Sequence, residues 1–132
     1  MKFFTAYIHE NRYGLGIILL AAIFLLPFLG AFPLIDPDEP VYGQTAREML
    51  AAGDWLSPRI YGQFWYDKPP LFYWLEMISY SLFGISDYTS RLPSAVMGIA
   101  TVATVYVQSR AVFNKHIAFR AALILLTSVG FI

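Results

Sequence analysis

Cysteine is absent from all 132 residues, which removes disulfide frameworks, thiolate metal sites and thiol nucleophiles together. Histidine is almost absent too. The two present, His9 and His116, lie in segments placed below on the side opposite the acidic loop, so a histidine-rich metal site cannot be assembled from this chain alone. Charge is scarce and balanced, with 14% charged residues and a formal net charge of +0. No global field therefore attracts nucleic acid or an acidic partner. What fills the chain instead is apolar: 58% of residues are hydrophobic and the mean hydropathy is +0.55. A soluble domain sits nearer half apolar and a quarter charged, so the composition points to an all-α integral membrane protein.

The first long apolar run, residues 13–33, is long enough to cross a bilayer of about 30 Å at ~1.5 Å per residue. A basic start before an apolar core also describes a signal peptide, but the core is too long and no small-residue cleavage site follows, so a retained span is expected. Pro27 should kink it. Between Leu34 and Ser90 no window reaches spanning length. Pro40 suits the first position of a short amphipathic helix carrying Val41, Thr45, Met49 and Ala52 on one face, closed by Gly53. Asp54 to Lys68 reads as an irregular or partly extended connector. Pro69 and Pro70 then start a second short helix that Gly84 ends. Both helices are expected to lie along the membrane surface. A second span is expected over 91–109, rich in small residues that permit close packing, and a third over 117–132. The third falls short of a full crossing, which suggests a fragment of a longer polytopic protein.

Loop charge sets the expected orientation. The loop from Leu34 to Arg91 has eight acids against four bases, whereas Lys2 and Arg12 precede the first span and Arg110, Lys115 and Arg120 follow the second. The Lys/Arg bias places both flanks and the N-terminus in the cytoplasm, with loop 34–90 outside a bacterial inner membrane. No nucleotide is available there, which argues against a nucleotide-sugar or ATP-dependent enzyme. Aromatics make up 17% of the chain and many cluster between Tyr61 and Tyr88. An interfacial belt explains them better than stacking on a sugar or lipid chain.

Candidate chemistry collects at the two ends of a single stretch. At one end, Asp36, Asp38 and Glu39 sit at the mouth of the first span, an expensive place for acids. A partly desolvated Asp38 is a candidate general base. The alternative is that Asp38 and Glu39 only cap the helix at Pro40, and local sequence does not separate the two. At the other end, Asp67 and Lys68 precede the double proline. Lys68 could meet the phosphate of a lipid-linked donor from a fixed position, with Asp67 orienting it or joining a metal shell. An exposed ion pair of little energetic weight is the plainer account. Arg47, Arg59 and Arg91 are further phosphate candidates, Arg91 also marking a membrane boundary.

The run PDEPVYGQTAREMLAAGDWLSPRIYGQFWYDKPPLFYWL, followed by LFG and SRLPSAVMG, closely resembles the N-terminal part of bacterial polyprenyl-phosphate-sugar-dependent glycosyltransferases. These are integral-membrane enzymes of the GT-C fold, among them the lipid A aminoarabinose transferases and relatives of protein O-mannosyltransferases. The resemblance covers roughly Ile35 to Met97. It implies a polytopic helical GT-C transmembrane region, truncated, with two interfacial helices in its first outer loop. It further implies that Asp38 is the catalytic carboxylate, followed by Glu39, and that Lys68, after Asp67, binds donor phosphate. Aminoarabinose transferases usually carry Glu before that lysine, where it can contribute to a metal site. Asp67, one methylene shorter, stands there instead and the downstream partner ligands are lacking, which counts against a metal. A divalent metal is the one cofactor the resemblance leaves open. Pro40 and Val41 replace the Thr or Ala and the Arg common in those enzymes, which favours a broader bacterial relative.

The implied reaction is inverting transfer of a sugar from a polyprenyl-phosphate donor to a lipid or protein acceptor at the outer membrane face. Asp38 would act on the acceptor while the phosphate departs towards Lys68 or an arginine. Such enzymes have further spans, so this stretch alone is expected to be inactive. The competing expectation is a non-catalytic membrane module that binds polyprenyl phosphate or a partner enzyme. A transporter is weaker, because the acids lie at a span's mouth and not within one.

Overall fold

The computed structural model describes residues 2–35 and 37–128, with side chains from Arg12 onward. Five helices and one hairpin make up the described part: α1 Lys2–Leu25, α2 Asp38–Ala52, β1 Arg59–Ile60, β2 Gln63–Phe64, α3 Pro70–Phe83, α4 Asp87–Val112 and α5 Lys115–Leu126. They divide into two compact units, Met1–Pro27 with Ala95–Ile132, and Phe28–Ser94.

In the first unit α1 and α5 pack around Ile17, Ala21, Val102, Tyr106, Ala118, Ala122 and Leu126. Ala118, Ala122 and Leu126 recur every four residues, so α5 offers one narrow face of mostly small side chains, which lets backbones approach. Gly14 serves the same end: a Cβ there would stand 2.8 Å from the Tyr106 ring. Asn114 caps α5, accepting the N–H groups of His116 and Ile117 at 3.0 and 3.1 Å. Leu15, Leu19, Ile23, Val107 and Ile124 are left exposed, as side chains facing lipid would be.

The expected span over 13–33 is not one continuous helix. α1 ends at Leu25, and Ala31 N–H closes a turn on Phe28 O at 3.0 Å. Pro27 supplies no N–H and restricts Leu26, so it terminates the helix rather than kinking it. Among the described residues only α4 is long and apolar enough to cross a membrane, at about 39 Å for its 26 residues. Arg12–Leu25 forms a shorter apolar helix. The expected third span runs past Ser128 into residues outside the described part.

The second unit carries the acidic loop. α2 and α3 pack through Ala46, Met49, Tyr73, Met77 and Tyr80. Gly53 ends α2 in the left-handed region at φ 65°, and Gly84 closes α3 with its N–H on Tyr80 O at 2.9 Å, as the glycines predict. α3 begins at Pro70 behind an extended Pro69. At about 21 Å for 14 residues it does not cross a bilayer. The connector holds more order than expected: β1 and β2 pair antiparallel with Arg59 opposite Phe64 and Ile60 opposite Gln63. Tyr61 and Gly62 both take positive φ, 53° and 77°, the geometry of a tight two-residue hairpin turn. Glu48 on α2 accepts both turn N–H groups at 2.8 and 2.9 Å, which offsets the strain at Tyr61.

Candidate functional site

Asp38 opens α2 one residue past Pro37, which holds the cap position, and its side chain makes no capping hydrogen bond among the described residues. The helix therefore starts two residues before Pro40, and capping does not account for Asp38. Its side chain is 70% exposed, and Oδ1 stands 3.7 Å from Lys68 Nζ. Lys68 reaches it from the far end of the connector, immediately before the rigid Pro69, and also lies 4.0 Å from Asp67. The fold thus joins the two ends of the stretch that sequence singled out. Its desolvation is slight, so what distinguishes Asp38 is the neighbouring cation.

Glu39 has a different task. Its two oxygens accept Arg91 Nε at 2.9 Å and Nη2 at 2.6 Å, and Oε2 also accepts Ile35 N–H at 2.7 Å. Arg91 donates further to the carbonyls of Leu29, Phe32 and Pro33, at 2.7, 2.7 and 2.8 Å. The planar guanidinium suits this fork, where a point charge would not. The Arg91 hydrogen bond holds the Glu39 carboxyl below the usual carboxylate range, against a smaller opposing effect of burial. Arg91 is thus a clasp between the segment after α1 and the starts of α2 and α4.

A third carboxylate completes the site, and sequence reasoning counted it only towards loop charge. Glu76 on α3 is 2% exposed. Its Oε1 accepts Ser90 Oγ at 2.8 Å, and Ser90 Oγ in turn accepts Tyr80 OH at 2.9 Å. Oε2 has no partner among the described residues. Burial pushes its carboxyl up to about 7, with the Ser90 hydrogen bond opposing and Glu39 adding a smaller like-charge effect. The signal for Glu76 was present in the helical period: it sits on the stripe of Tyr73, Met77 and Tyr80, where an acid has no solvent to face. Gly43 makes room for this chain of hydroxyls, since a Cβ there would lie 3.0 Å from Ser90 Oγ and 3.1 Å from Tyr80 OH.

Pro93 shapes the other wall. Inside α4 it cannot donate to Thr89 O, and Ser79 Oγ on α3 takes that carbonyl at 2.6 Å. Asp38, Glu39, Tyr42, Glu76, Ser90 and Arg91 then line a cavity of about 180 Å³. That is room for about six waters at ~30 Å³ each, below the ~300 Å³ at which drug-sized sites begin. Its volume suits a small group and not a lipid chain, and Leu34 and Phe72 complete the lining beside the polar side chains.

The remaining sequence candidates lie elsewhere. Arg47 is exposed on α2 outside the cavity lining. Arg59 pairs with Asp54 at 3.3 Å and covers the Phe64 ring at 4.8 Å, which binds it to the hairpin. Asp36 falls outside the described residues. Asp67 is exposed beside Lys68, and no cluster of three metal-ligating side chains occurs among the described residues. The described residues do not by themselves assemble a metal shell.

Residues 67–132 match the family described as dolichyl-phosphate-mannose-protein mannosyltransferase. Over 126 residues the chain is 34% identical to an undecaprenyl phosphate-alpha-4-amino-4-deoxy-L-arabinose arabinosyl transferase of Pseudomonas savastanoi pv. phaseolicola, covering 93% of this chain and 24% of the relative. A similarly named transferase of Proteus mirabilis is 34% identical over 119 residues, covering 86% of this chain and 21% of its own length. The chain thus spans less than a quarter of the length of the curated relatives it matches. Its backbone resembles ArnT of Cupriavidus metallidurans in the apo state, with a TM-score of 0.77 and 27% identity over 89% of this chain and 22% of that one. The ArnT structure bound to undecaprenyl phosphate gives a TM-score of 0.74 at 28% identity, over 82% of this chain and 20% of that one.

Proposed function

Because the chain belongs to the dolichyl-phosphate-mannose-protein mannosyltransferase family of membrane glycosyltransferases, we propose that the protein transfers a sugar from a polyprenyl-phosphate donor to a lipid or protein acceptor. The transfer takes place at the outer face of a bacterial inner membrane, with loop 34–90 outside and the N-terminus in the cytoplasm. The observation that carries this reading is the uncapped Asp38 carboxylate held 3.7 Å from Lys68. Undecaprenyl-phosphate-linked donors in the relatives' names, and undecaprenyl phosphate bound to ArnT, support the donor class.

The chemistry follows from the pair. Asp38 takes the proton of an acceptor hydroxyl as its oxygen attacks the anomeric carbon from the face opposite the phosphate, which inverts that centre. The bond from anomeric carbon to phosphate oxygen breaks, and the electron pair leaves with the polyprenyl phosphate. Lys68 stabilises the departing charge, so no general acid is needed. Before substrate arrives the two ions face each other at 3.7 Å, and the incoming phosphate and hydroxyl take their place between them. Glu39 acts through the Arg91 clasp, which fixes the start of α2 and hence Asp38. Arg47 and Arg59 remain substrate-contact proposals only for acceptor or lipid groups that reach outside the cavity.

Binding of undecaprenyl phosphate to the protein in its native membranes tests the assignment of Lys68. Lys68→Met should weaken binding by about tenfold or more, the loss of one charge-assisted contact, whereas Asp38→Asn should not weaken it. Unchanged binding in Lys68→Met would remove Lys68 from the phosphate site.

A further inference from the structure

Glu76 is the one carboxylate of the site that neither the transfer chemistry nor the Arg91 clasp uses. More than nine in ten buried polar groups find a partner, and one left unmade costs about 1–3 kcal/mol, more when charged. In Glu76 only Oε1 is engaged, while Oε2 is buried without a partner among the described residues and the residue lines the cavity. The terminal torsion of Glu is broad and nearly two-fold, so a small turn brings either oxygen towards a ligand while the other keeps Ser90.

We infer that Glu76 reads the sugar of the donor: its free oxygen accepts a hydrogen bond from a sugar hydroxyl or ammonium group while the donor phosphate sits at Lys68. The inference rests on the donor reading above and adds to it the residue that recognises the sugar. Three features support it. The cavity has the size of a head group. Its polar wall is built from both α3 and α4, through the Tyr80–Ser90–Glu76 chain, so the acceptor is held by packing and not by a loop. The groups facing Glu76 are Glu39 from α2, Ser90 and Arg91 from α4, and Tyr73 and Tyr80 on its own helix. Arg91 is committed to Glu39 and to three carbonyls. Arg91 is therefore not free to serve Oε2, and a donor on the ligand can supply that partner. With its carboxyl held near 7, Glu76 can meet an ammonium as the anion or a hydroxyl in either form.

The test compares affinity for two probes, undecaprenyl phosphate and undecaprenyl phosphate bearing 4-amino-4-deoxy-L-arabinose, in wild type, Glu76→Met and Glu76→Gln reconstituted in lipid. Wild type should bind the sugar-bearing lipid more tightly. In Glu76→Met that lipid should lose about tenfold or more while bare undecaprenyl phosphate stays within about twofold. Glu76→Gln, which keeps an acceptor for Ser90, should recover part of the loss and controls for folding. Equal losses for both lipids, no loss for either, or a wild type that gains nothing from the sugar would each overturn the inference. A wild type that binds neither lipid would sink the donor reading itself, and Glu76 with it.

Discussion

Arg91→Met would remove five hydrogen bonds at once, two on Glu39 and one on each carbonyl of Leu29, Phe32 and Pro33. Bonds to a charged group are worth about 1.5–3 kcal/mol singly, and breaking a buried pair about 3–5 kcal/mol. The side chains of Arg91 and Glu39 are 16% and 39% exposed, so water takes over part of each. A local cost of about 2–4 kcal/mol remains. Since 1.4 kcal/mol is a tenfold change, the opened population of the segment after α1 should rise about thirty- to seven-hundredfold. Chymotrypsin provides the assay, because Phe28 and Phe32 are already 75% and 71% exposed and cutting tracks the opened fraction. The protein in nanodiscs should be nicked at these residues that much faster in the variant. Arg91→Lys should recover less than half of the loss in free energy, because an ammonium cannot fork. Acid should mimic the variant: Arg91 holds the Glu39 carboxyl below its ordinary 4.5, so the clasp is intact above that pH and is lost as pH falls through the lowered value. Cleavage of Arg91→Met within about threefold of wild type, under ~0.7 kcal/mol, would refute the clasp.

The Ser79 hydroxyl and Pro93 should couple. Ser79→Ala should cost about 1–2 kcal/mol in wild type and less than half as much in a Pro93→Ala background, where the restored N–H can serve Thr89 O; equal costs in a double-mutant cycle of unfolding would deny the link. Glu76 should make stability fall with rising pH, because a carboxyl held up at about 7 binds its proton more tightly folded than unfolded. That stability is full below an ordinary carboxylate value near 4.5 and is lost as pH climbs to about 7, a difference of up to ~3 kcal/mol. Glu76→Gln should abolish the slope between pH 5 and 8, and a parallel wild-type slope would count against a buried acid. Glu48→Ala leaves the N–H groups of Tyr61 and Gly62 without their acceptor. Amide exchange at both should accelerate while α3 keeps its protection, and uniform acceleration would mean that Glu48 supports more than the hairpin.

Features set by the local backbone were legible in the sequence. Pro69 and Pro70 start α3, and Gly53 and Gly84 end α2 and α3, because proline's fixed φ and glycine's positive φ act within one turn. Pro27 reads only as a kink, because a hydropathy window sees only side chains and so runs the span on to residue 33. The start of α2 was misplaced because Asp38 enters the helix directly behind Pro37, without the capping bond that usually marks a boundary. At the site, the meeting of Asp38 with Lys68 depends on α2 packing against α3, which no local pattern contains; family resemblance gave both a role in one reaction without placing them in contact. Arg91 read as a membrane boundary because its partners are backbone carbonyls, which leave no trace in residue types. Glu76 was hidden differently: its burial follows from helical period, but an acid on an apolar stripe was weighed only as loop charge.

The account centres on Asp38 as the base of sugar transfer. The most direct measurement is transfer from a polyprenyl-phosphate sugar by the protein in its native membranes, comparing wild type with Asp38→Asn at equal abundance and equal undecaprenyl phosphate binding. The account expects turnover to fall by about a hundredfold or more, the usual weight of a general base. Transfer at an undiminished rate would leave Asp38 a mere partner of Lys68 and contradict the account.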